Sequence, residues 1–172
     1  MLQLILGGAR SGKSRLAEQT AKETGLSVIY IATAQALDAE MQQRITHHQQ
    51  QRPAHWQVFE EPIYLADRLL QLDQPDQLIL VDCLTLWLSN LLLAEDPALQ
   101  QQQMQKLFEV LPQLHSQIIL VSNETGLGVV PMGEISRCFV DEAGRLHQTL
   151  GQLANKVMFC VAGFPMILKD EK

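Results

Sequence analysis

The chain has 172 residues, 47% of them hydrophobic and 19% charged, and it carries a formal net charge of −6. This composition excludes an intrinsically disordered chain, and the acidic balance argues against a protein that binds along a nucleic-acid backbone. A chain of this length is long enough for one domain with a buried core, so we expect residues 1–172 to form a single domain.

The cysteines and the N-terminal residues narrow the class of protein further. Cys83, Cys138 and Cys160 lie far apart with no C-x-x-C pair, so neither a zinc site nor a disulfide framework is indicated. The first residues contain no basic segment or cleavage-type site, and no apolar stretch reaches the roughly 18 residues that a membrane span needs. We therefore expect a cytoplasmic protein without a membrane span.

In chain order, short apolar segments rich in β-branched residues alternate with segments of helical spacing. Strands are predicted at 2–7, 27–33, 77–83, 116–123 and 156–163, the last of which closes the chain. Helices are predicted at about 13–24, 38–50, 63–72, 84–93, 98–111 and 134–154, with a Gln-rich stretch at 100–105 interpreted as a solvated helix face. Residues 51–62 are predicted to be an irregular excursion at the ligand-binding edge.

This order of elements predicts the fold class. Strands that are apolar throughout and separated by helices indicate an α/β fold with a mostly parallel sheet and helices on both faces. Right-handed connections place the carboxyl ends of parallel strands at one edge of the sheet, and ligands bind at that edge.

The segment G-G-A-R-S-G-K-S follows the first predicted strand and opens the first predicted helix. It fits the P-loop pattern G-x-x-x-x-G-K-[ST], in which the backbone N–H groups and the helix N-terminus hold phosphate oxygens. We expect Lys13 to reach the β- and γ-phosphates and Ser14 to bind Mg²⁺; Arg10 either adds charge for the phosphates or is solvated. The predicted nucleotide-binding residues of this loop are Gly7, Gly8, Ala9, Arg10, Ser11, Gly12, Lys13 and Ser14.

A P-loop enzyme needs a second group to hold the metal, usually a carboxylate at the end of an apolar strand. Asp82 ends the segment L-I-L-V-D and is predicted to fill this role together with Ser14. The alternative is that Asp82 caps the helix that follows. Thr85 and Asn90, farther along that helix, are interpreted as a capping residue and a surface amide.

The segment from Ala39 to Trp56 contains two adjacent histidines. In a helix, Arg44, His47 and His48 would lie on one face because they are spaced at i, i+3 and i+4. A neutral histidine can attack phosphorus, and a neighbouring arginine can neutralise the charge of the phosphate under attack. The alternative is a solvated pair of histidines, and the spacing does not match a zinc motif.

Four segments together resemble the bifunctional adenosylcobinamide kinase/adenosylcobinamide-phosphate guanylyltransferase family. They are G-G-A-R-S-G-K-S, the block from Tyr30 to Trp56, L-V-D-C-L-T-L-W-L-S-N-L-L and L-V-S-N-E-T-G-L-G-V-V-P, and the resemblance runs from Leu4 to about Leu168. It implies a P-loop NTPase fold with a RecA-like sheet, a homotrimer, and two reactions. ATP or GTP would phosphorylate adenosylcobinamide, and GMP would then pass from GTP to that phosphate, giving adenosylcobinamide-GDP.

The same resemblance implies roles for individual residues. His47 matches the histidine that carries GMP in a covalent intermediate. Ala32, Thr33 and Ala34 match a nucleotide-contacting segment, as does the stretch His48, Gln49, Gln50 and Gln51. Glu60 matches a GTP contact, and a carboxylate there would accept from N1–H and the 2-amino group of guanine; the alternative is a solvated loop acid.

The segment after the fourth predicted strand has two interpretations. Asn123 and Glu124 end that strand, and Gly126 and Gly128 would let the next loop close on the corrinoid or exclude water; a simple connection is the alternative. Two other classes of function remain open at this stage. One is a small-molecule P-loop kinase without a covalent intermediate, and the other is a nucleotide-dependent binding module.

Overall fold

The computed structural model describes residues 1–35 and 53–171. The strands are β1 (Leu2–Gly7), β2 (Ser27–Ala32), β3 (Gln57–Glu60), β4 (Gln77–Asp82), β5 (Gln117–Asn123), β6 (Lys156–Val161) and β7 (Phe164–Asp170). The helices are α1 (Lys13–Glu23), α2 (Leu65–Leu72), α3 (Leu84–Leu93), α4 (Pro97–Val110) and α5 (Glu134–Leu153). A short 3₁₀ helix, Leu111–Gln113, follows α4.

Within these ranges the strands form one sheet in the order β3-β2-β4-β5-β1-β6-β7. The strands from β3 to β6 in this order are parallel, and β7 runs antiparallel to β6. The carboxyl ends of six strands therefore meet at one edge of the sheet, as the sequence predicts. We call this the carboxyl edge.

The core has two layers, one on each face of the sheet, because successive side chains of a strand point to opposite faces. In β4, Leu78 and Leu80 face the layer that contains α1 and Trp56. Ile79 and Val81 face the layer that contains α2, α3, α4 and α5. All four β4 side chains are fully buried, and each such burial stabilises the fold by about 1.5–3 kcal/mol. Helices thus cover both faces, which confirms the predicted α/β class.

Two predictions about the edges of the sheet are wrong. Residues 51–62 were expected to be irregular, but they contain β3, a strand of four residues at the open side of β2. An edge strand has one free side and needs no long apolar run, and three of its four residues are exposed. The strand at 156–163 was expected to close the chain, but β6 ends at Val161 and β7 follows it. Ala162 and Gly163 form the tight turn between them, with φ of 51° and 86°.

Smaller differences concern the helices. The helix predicted at 38–50 lies outside the described residues. The Gln-rich stretch does not form a wholly solvated face, because Gln103 is only 3% exposed and packs inside the helical layer. No helix among the described residues is long and apolar enough to cross a membrane.

Candidate active site at the carboxyl edge of the sheet

The P-loop connects β1 to α1 at the carboxyl edge. Gly12 has a φ of 95° and precedes α1 as its N-cap, so the first N–H groups of the helix have no side-chain cap. Lys13 is 9% exposed, and its Nζ donates to the carbonyl of Gly8 at 3.1 Å. The ammonium therefore lies over the loop, where a phosphate held by the backbone amides would meet it.

Glycine is required at two positions of this loop for steric reasons. A Cβ on Gly7 would lie 2.5 Å from Ser11 Oγ and 2.6 Å from the carbonyl oxygen of Cys160. A Cβ on Gly12 would lie 3.1 Å from Gly163 Cα, and the positive φ of Gly12 disfavours any other residue. The loop is thus packed tightly between its own residues and the β6–β7 turn.

The β6–β7 turn holds the middle of the P-loop through one atom. The carbonyl of Ser11 accepts from Gly163 N–H at 2.8 Å and from the Cys160 thiol at 3.1 Å. Ser11 Oγ is buried and has no hydrogen-bond partner among the described residues. An orphaned buried hydroxyl is uncommon in proteins and is expected where a ligand completes the site.

Three predicted site residues lie side by side at the ends of neighbouring strands. Ala32 ends β2 and is in register with Glu60 of β3 on one side and Asp82 of β4 on the other. Glu60 is exposed and Asp82 is half-buried. Neither carboxylate forms a hydrogen bond or an ion pair with the described residues. The capping interpretation of Asp82 is wrong, since α3 has Cys83 at its N-cap and no side-chain cap.

Thr33 is fully buried, and its hydroxyl is used within the protein. It donates to the carbonyl of Cys83 at 2.6 Å and accepts from Cys83 N–H at 3.0 Å, which ties the end of β2 to the end of β4. A nucleotide contact from residues 32–34 would therefore come from Ala32, Ala34 or the backbone. Ala34 is half-buried in the same loop.

Asn90 was interpreted as a surface amide, and this is wrong. It is 8% exposed, and its Nδ2 donates to the carbonyls of Thr33 at 2.8 Å and Pro62 at 3.1 Å. Helix α3 thus holds the loops that follow β2 and β3. Trp87 adds a third link, because its Nε1–H donates to the carbonyl of Ile63 at 2.9 Å.

Cys83 directly follows Asp82 and is buried. Burial raises the pKa of the Cys83 thiol to about 11, the Asp82 carboxylate adds to the rise, and the Lys13 ammonium works against it. The thiol is therefore neutral at physiological pH and behaves as a small buried group.

A second polar cluster lies behind the end of β5 and was not predicted as a unit. Ser122 Oγ is 2.8 Å from His147 Nε2 and 3.3 Å from Thr85 Oγ, and His147 Nδ1 is 3.4 Å from a carboxylate oxygen of Glu124. The Thr85 hydroxyl accepts from Asn123 N–H at 2.7 Å, so the predicted capping role of Thr85 is wrong. Burial lowers the pKa of His147, and the Glu124 carboxylate partly offsets this effect. We call Thr85, Ser122, Glu124 and His147 the β5 cluster.

The oxygen donors at this edge suit a hard divalent cation. Ser14 and Asp82 offer a hydroxyl and a carboxylate, the ligands that Mg²⁺ takes when substrate phosphates fill other positions. No group of three or more His, Cys, Asp or Glu side chains in the described ranges has the geometry of a metal site. A hydroxyl and a carboxylate fit a cation whose other ligands come from a nucleotide and water.

The remaining predicted residues lie outside the described part of the chain. These are Arg44, His47, His48, Gln49, Gln50 and Gln51. Of the other P-loop residues, Gly8 and Ser14 are half-buried, and Ala9 and Arg10 are exposed at the mouth of the loop. Arg10 has a φ of 55°.

Comparison with known proteins decides the family. The family described as cobinamide kinase / cobinamide phosphate guanyltransferase matches residues 3–168. The chain belongs to this family. A bifunctional adenosylcobalamin biosynthesis protein of Pseudomonas aeruginosa is 58% identical over 171 residues, with 99% of both chains covered. The bifunctional adenosylcobalamin biosynthesis protein of Escherichia coli is 39% identical over 183 residues and covers 98% of this chain and 100% of its own.

Solved structures support the fold of this cobinamide kinase / guanyltransferase family member. The RadB recombinase is similar with a TM-score of 0.54 at 17% identity, over 92% of this chain and 73% of that chain. At this identity the similarity concerns the fold alone. It agrees with the predicted P-loop NTPase class and its RecA-like sheet.

Sequence reasoning missed the polar groups that position the site in this family member. Asn90, Ser122 and His147 are all at most 8% exposed and each bonds to a different element. A polar residue inside an apolar helix or strand is the signal that marks them, since a buried polar group needs a partner. The sequence does not reveal that partner until the topology is known.

Proposed function

We propose that this protein phosphorylates adenosylcobinamide with ATP or GTP and then transfers GMP from GTP to the phosphate, forming adenosylcobinamide-GDP in cobalamin biosynthesis. The observation that carries the proposal is a P-loop with Lys13 at the carboxyl edge, in a chain that matches the family over residues 3–168. The curated relatives are named as bifunctional proteins of adenosylcobalamin biosynthesis and share the full length of the chain.

In the kinase step, the protein has to position the nucleotide and stabilise charge. The backbone amides of the P-loop and the N-terminus of α1 would hold the polyphosphate. Lys13 would move from the Gly8 carbonyl to the β- and γ-phosphate oxygens and offset the negative charge that shifts toward the leaving group. The substrate hydroxyl forms a bond to the γ-phosphorus, the bond to the nucleoside diphosphate breaks, and the proton leaves with solvent.

Ser14 and Asp82 are the residues that would hold Mg²⁺ beside the nucleotide. When bound, the cation neutralises phosphate oxygens and orients them. Asp82 suits this role because its carboxylate has no hydrogen bond or ion pair with the described residues. Asp82 is half-buried, and a charged carboxylate in such a position lowers the stability of the fold unless a cation lies nearby.

In the guanylyl transfer, His47 would act as the nucleophile. An imidazole nitrogen attacks the α-phosphorus of GTP, and pyrophosphate leaves. A phosphate oxygen of adenosylcobinamide phosphate then attacks the same phosphorus, and the histidine is released. Glu60 would select guanine by accepting from N1–H and the 2-amino group, and the nucleotide contacts would include Ala32, Ala34 and the stretch from His48 to Gln51.

The test is a turnover assay with adenosylcobinamide and GTP in which both products are resolved. We expect adenosylcobinamide phosphate and adenosylcobinamide-GDP from the wild-type protein, and a GMP adduct in its mass spectrum. His47→Ala should lose the adduct and the second product and keep the kinase product, whereas His48→Ala should keep the adduct. An undiminished adduct in His47→Ala would refute the assignment of the nucleophile, and a kinase product without any adduct would favour a kinase that uses no covalent intermediate.

The proposal extends to the setting of the enzyme. We propose a single domain over residues 1–172 that works as a cytoplasmic homotrimer on small molecules and does not bind nucleic acid. The net charge of −6 supports the last point, because an acidic surface repels a phosphate backbone.

A further inference from the structure

The end of β5 occupies a special place at the carboxyl edge. In the sheet, β5 lies between β1, which leads into the P-loop, and β4, which ends at Asp82. Its last residue, Asn123, is in register with Gly7, and the next N–H, that of Glu124, donates to the Gly7 carbonyl at 3.0 Å. Asn123 therefore lies between the phosphate-binding loop and the carboxylate proposed for the metal.

The side chain of Asn123 points to the face of the sheet on which α1 lies. Its neighbour Ser122 points to the opposite face, where it contacts Thr85 and His147. Since successive strand residues alternate between faces, the Asn123 side chain faces the layer that the P-loop enters.

The amide of Asn123 has no hydrogen-bond partner in the described part of the chain. Its oxygen is buried and unpaired, and no bond from its nitrogen to a described residue is present. A buried oxygen acceptor without a donor is destabilising unless a ligand or water supplies one, and the nitrogen of the same amide has no bond to a described residue that would occupy its N–H groups. By contrast, the backbone of Asn123 is firmly held, because its N–H donates to the Thr85 hydroxyl at 2.7 Å.

The β5 cluster explains how this unpaired amide is kept in place. Thr85 of α3, Ser122 of β5 and His147 of α5 form a continuous set of contacts, and Glu124 extends it to the N–H of Gly126. Three elements are thus joined directly behind Asn123. Rigid support of this kind is typical of side chains that must meet a reacting group in a fixed geometry.

We propose that the Asn123 amide is a catalytic group of the kinase step, donating an N–H to a phosphate oxygen of the bound nucleotide, and that the β5 cluster is its positioning element. This inference rests on the proposed function and adds a residue to it. A side-chain amide suits the role because its N–H bonds to a phosphate without adding a full charge that would hold the product.

The experiment compares Asn123→Ala and Asn123→Asp with wild type in the kinase assay, using ATP, Mg²⁺ and adenosylcobinamide. We expect the kcat of Asn123→Ala to fall about 10- to 100-fold, as for loss of one hydrogen bond to a charged group, and by a larger factor than ATP affinity falls. Asn123→Asp has nearly the same shape but turns the donor into a carboxylate facing phosphate, so its kcat should be lower still.

Asn155→Ala is the matched control. Asn155 Oδ1 accepts from Leu2 N–H at 2.8 Å at the opposite edge of the sheet, so its loss should lower Tm and leave kcat within about twofold. His147→Ala should lower kcat about tenfold, and His147→Gln, which can still bond to Ser122, should recover part of it.

The results separate the inference from the proposed function. A wild-type protein that makes adenosylcobinamide phosphate, together with an Asn123→Ala protein of at least half its kcat, would overturn the role of Asn123 alone. An Asn123→Asp protein more active than Asn123→Ala would overturn the N–H donation. Unchanged kcat in His147→Ala would remove the β5 cluster from the proposal, and a wild-type protein without kinase product would overturn both proposals.

Discussion

Lys13 is almost buried, and its ammonium donates to one backbone carbonyl, that of Gly8. Among residues 1–35 and 53–171 this carbonyl is the one acceptor of the ammonium, which has three N–H donors, and the remaining donors are available for phosphate oxygens. Lys13→Ala should therefore reduce kinase kcat by about 100-fold or more while the fold is retained. Steady-state kinetics with a circular dichroism check would test this. Lys106→Ala is the control, because Lys106 lies on α4 and forms an ion pair with Asp67 of α2. A near-normal rate in folded Lys13→Ala would contradict the P-loop mechanism.

Asp82, like Glu60, ends a strand with a carboxylate that has no partner among the described residues, but Asp82 is half-buried and Glu60 is exposed. Asp82→Asn keeps the shape of the side chain and removes the charge, so the Mg²⁺ concentration for half-maximal activity should rise by about tenfold or more. The measurement is a Mg²⁺ titration of kinase activity at fixed ATP. Asp67→Asn, on α2, should leave this titration unchanged. An unchanged Mg²⁺ titration for Asp82→Asn would mean that Asp82 does not hold the metal.

Asp73 illustrates a carboxylate that stabilises the fold. Burial alone would raise its pKa, but hydrogen bonds from the Ser116 N–H, the His115 ring and the His115 N–H lower it to about 2. A carboxyl group with a lowered pKa in the folded state binds protons less readily than when unfolded. The Asp73 carboxylate therefore contributes fully to the free energy of unfolding above its ordinary pKa near 3.8, and this contribution is lost as the pH falls toward 2.

Asp73→Asn should accordingly lower the free energy of unfolding by about 1–3 kcal/mol at pH 7. The difference between wild type and variant should shrink between about pH 4 and pH 2, as wild-type Asp73 becomes protonated. Urea unfolding at several pH values measures this difference. Asp76→Asn, in the exposed turn nearby, serves as control. A constant difference across the pH range would show that the carboxylate charge is not the stabilising feature.

At the scale of elements, the β6–β7 turn is coupled to the P-loop through Gly163 N–H and the Ser11 carbonyl. Gly163→Ala should cost about 1–2 kcal/mol, because an alanine at a φ of 86° is strained, and should weaken nucleotide binding severalfold by loosening Ser11. Gly25→Ala is a matched control: Gly25 has a φ of 68°, and a Cβ there also meets no atom within 4 Å, but it lies beyond the far end of α1. Differential scanning fluorimetry with and without GTP measures both effects. Equal nucleotide affinity in the two variants would show that the turn does not support the loop.

Elements were predictable where burial is complete and hidden where it is partial. β1, β4 and β5 lie inside the sheet, so each has neighbours on both sides and reads as an uninterrupted apolar segment. β3 lies at one edge, is mostly exposed and has no long apolar run. β7 lies at the other edge and does contain apolar residues, but it follows β6 after a two-residue turn, so a pattern of strands separated by helices does not predict it. The P-loop and Asp82 follow from local sequence. The partners of Asn90 and His147 depend on which strands and helices become neighbours, and no local pattern specifies that.

At the scale of the whole molecule, two separate apolar surfaces are exposed. One lies on β7 and includes Phe164, 77% exposed, and Ile167, 59% exposed. The other lies after β5 and includes Val129 and Met132, each 96% exposed. A cyclic trimer joins two different surfaces of neighbouring copies, and these two patches are our candidates for them.

The proposed homotrimer predicts a particle of three times the 19.3 kDa chain mass in solution. Phe164→Lys and Met132→Lys should each dissociate it, because a charge buried at either half of the interface is costly. Light scattering after size exclusion gives the mass. Gln102→Lys, on an exposed part of α4, adds the same charge and should leave the trimer intact. A monomeric wild-type protein would contradict the trimer, and a trimer retained in both variants would place the interface elsewhere.

The direction of the strands also determines which parts of the chain can carry a tag or a fusion partner. Met1 directly precedes β1, and its carbonyl accepts from Ile118 N–H. Glu171 N–H donates to the backbone carbonyl of Asn155, the residue just before β6. Met1 and Glu171 thus both lie at the edge of the sheet opposite the P-loop. A purification tag, a fluorescent fusion or a tether to a sensor chip can therefore be added at either end at a distance from the nucleotide site.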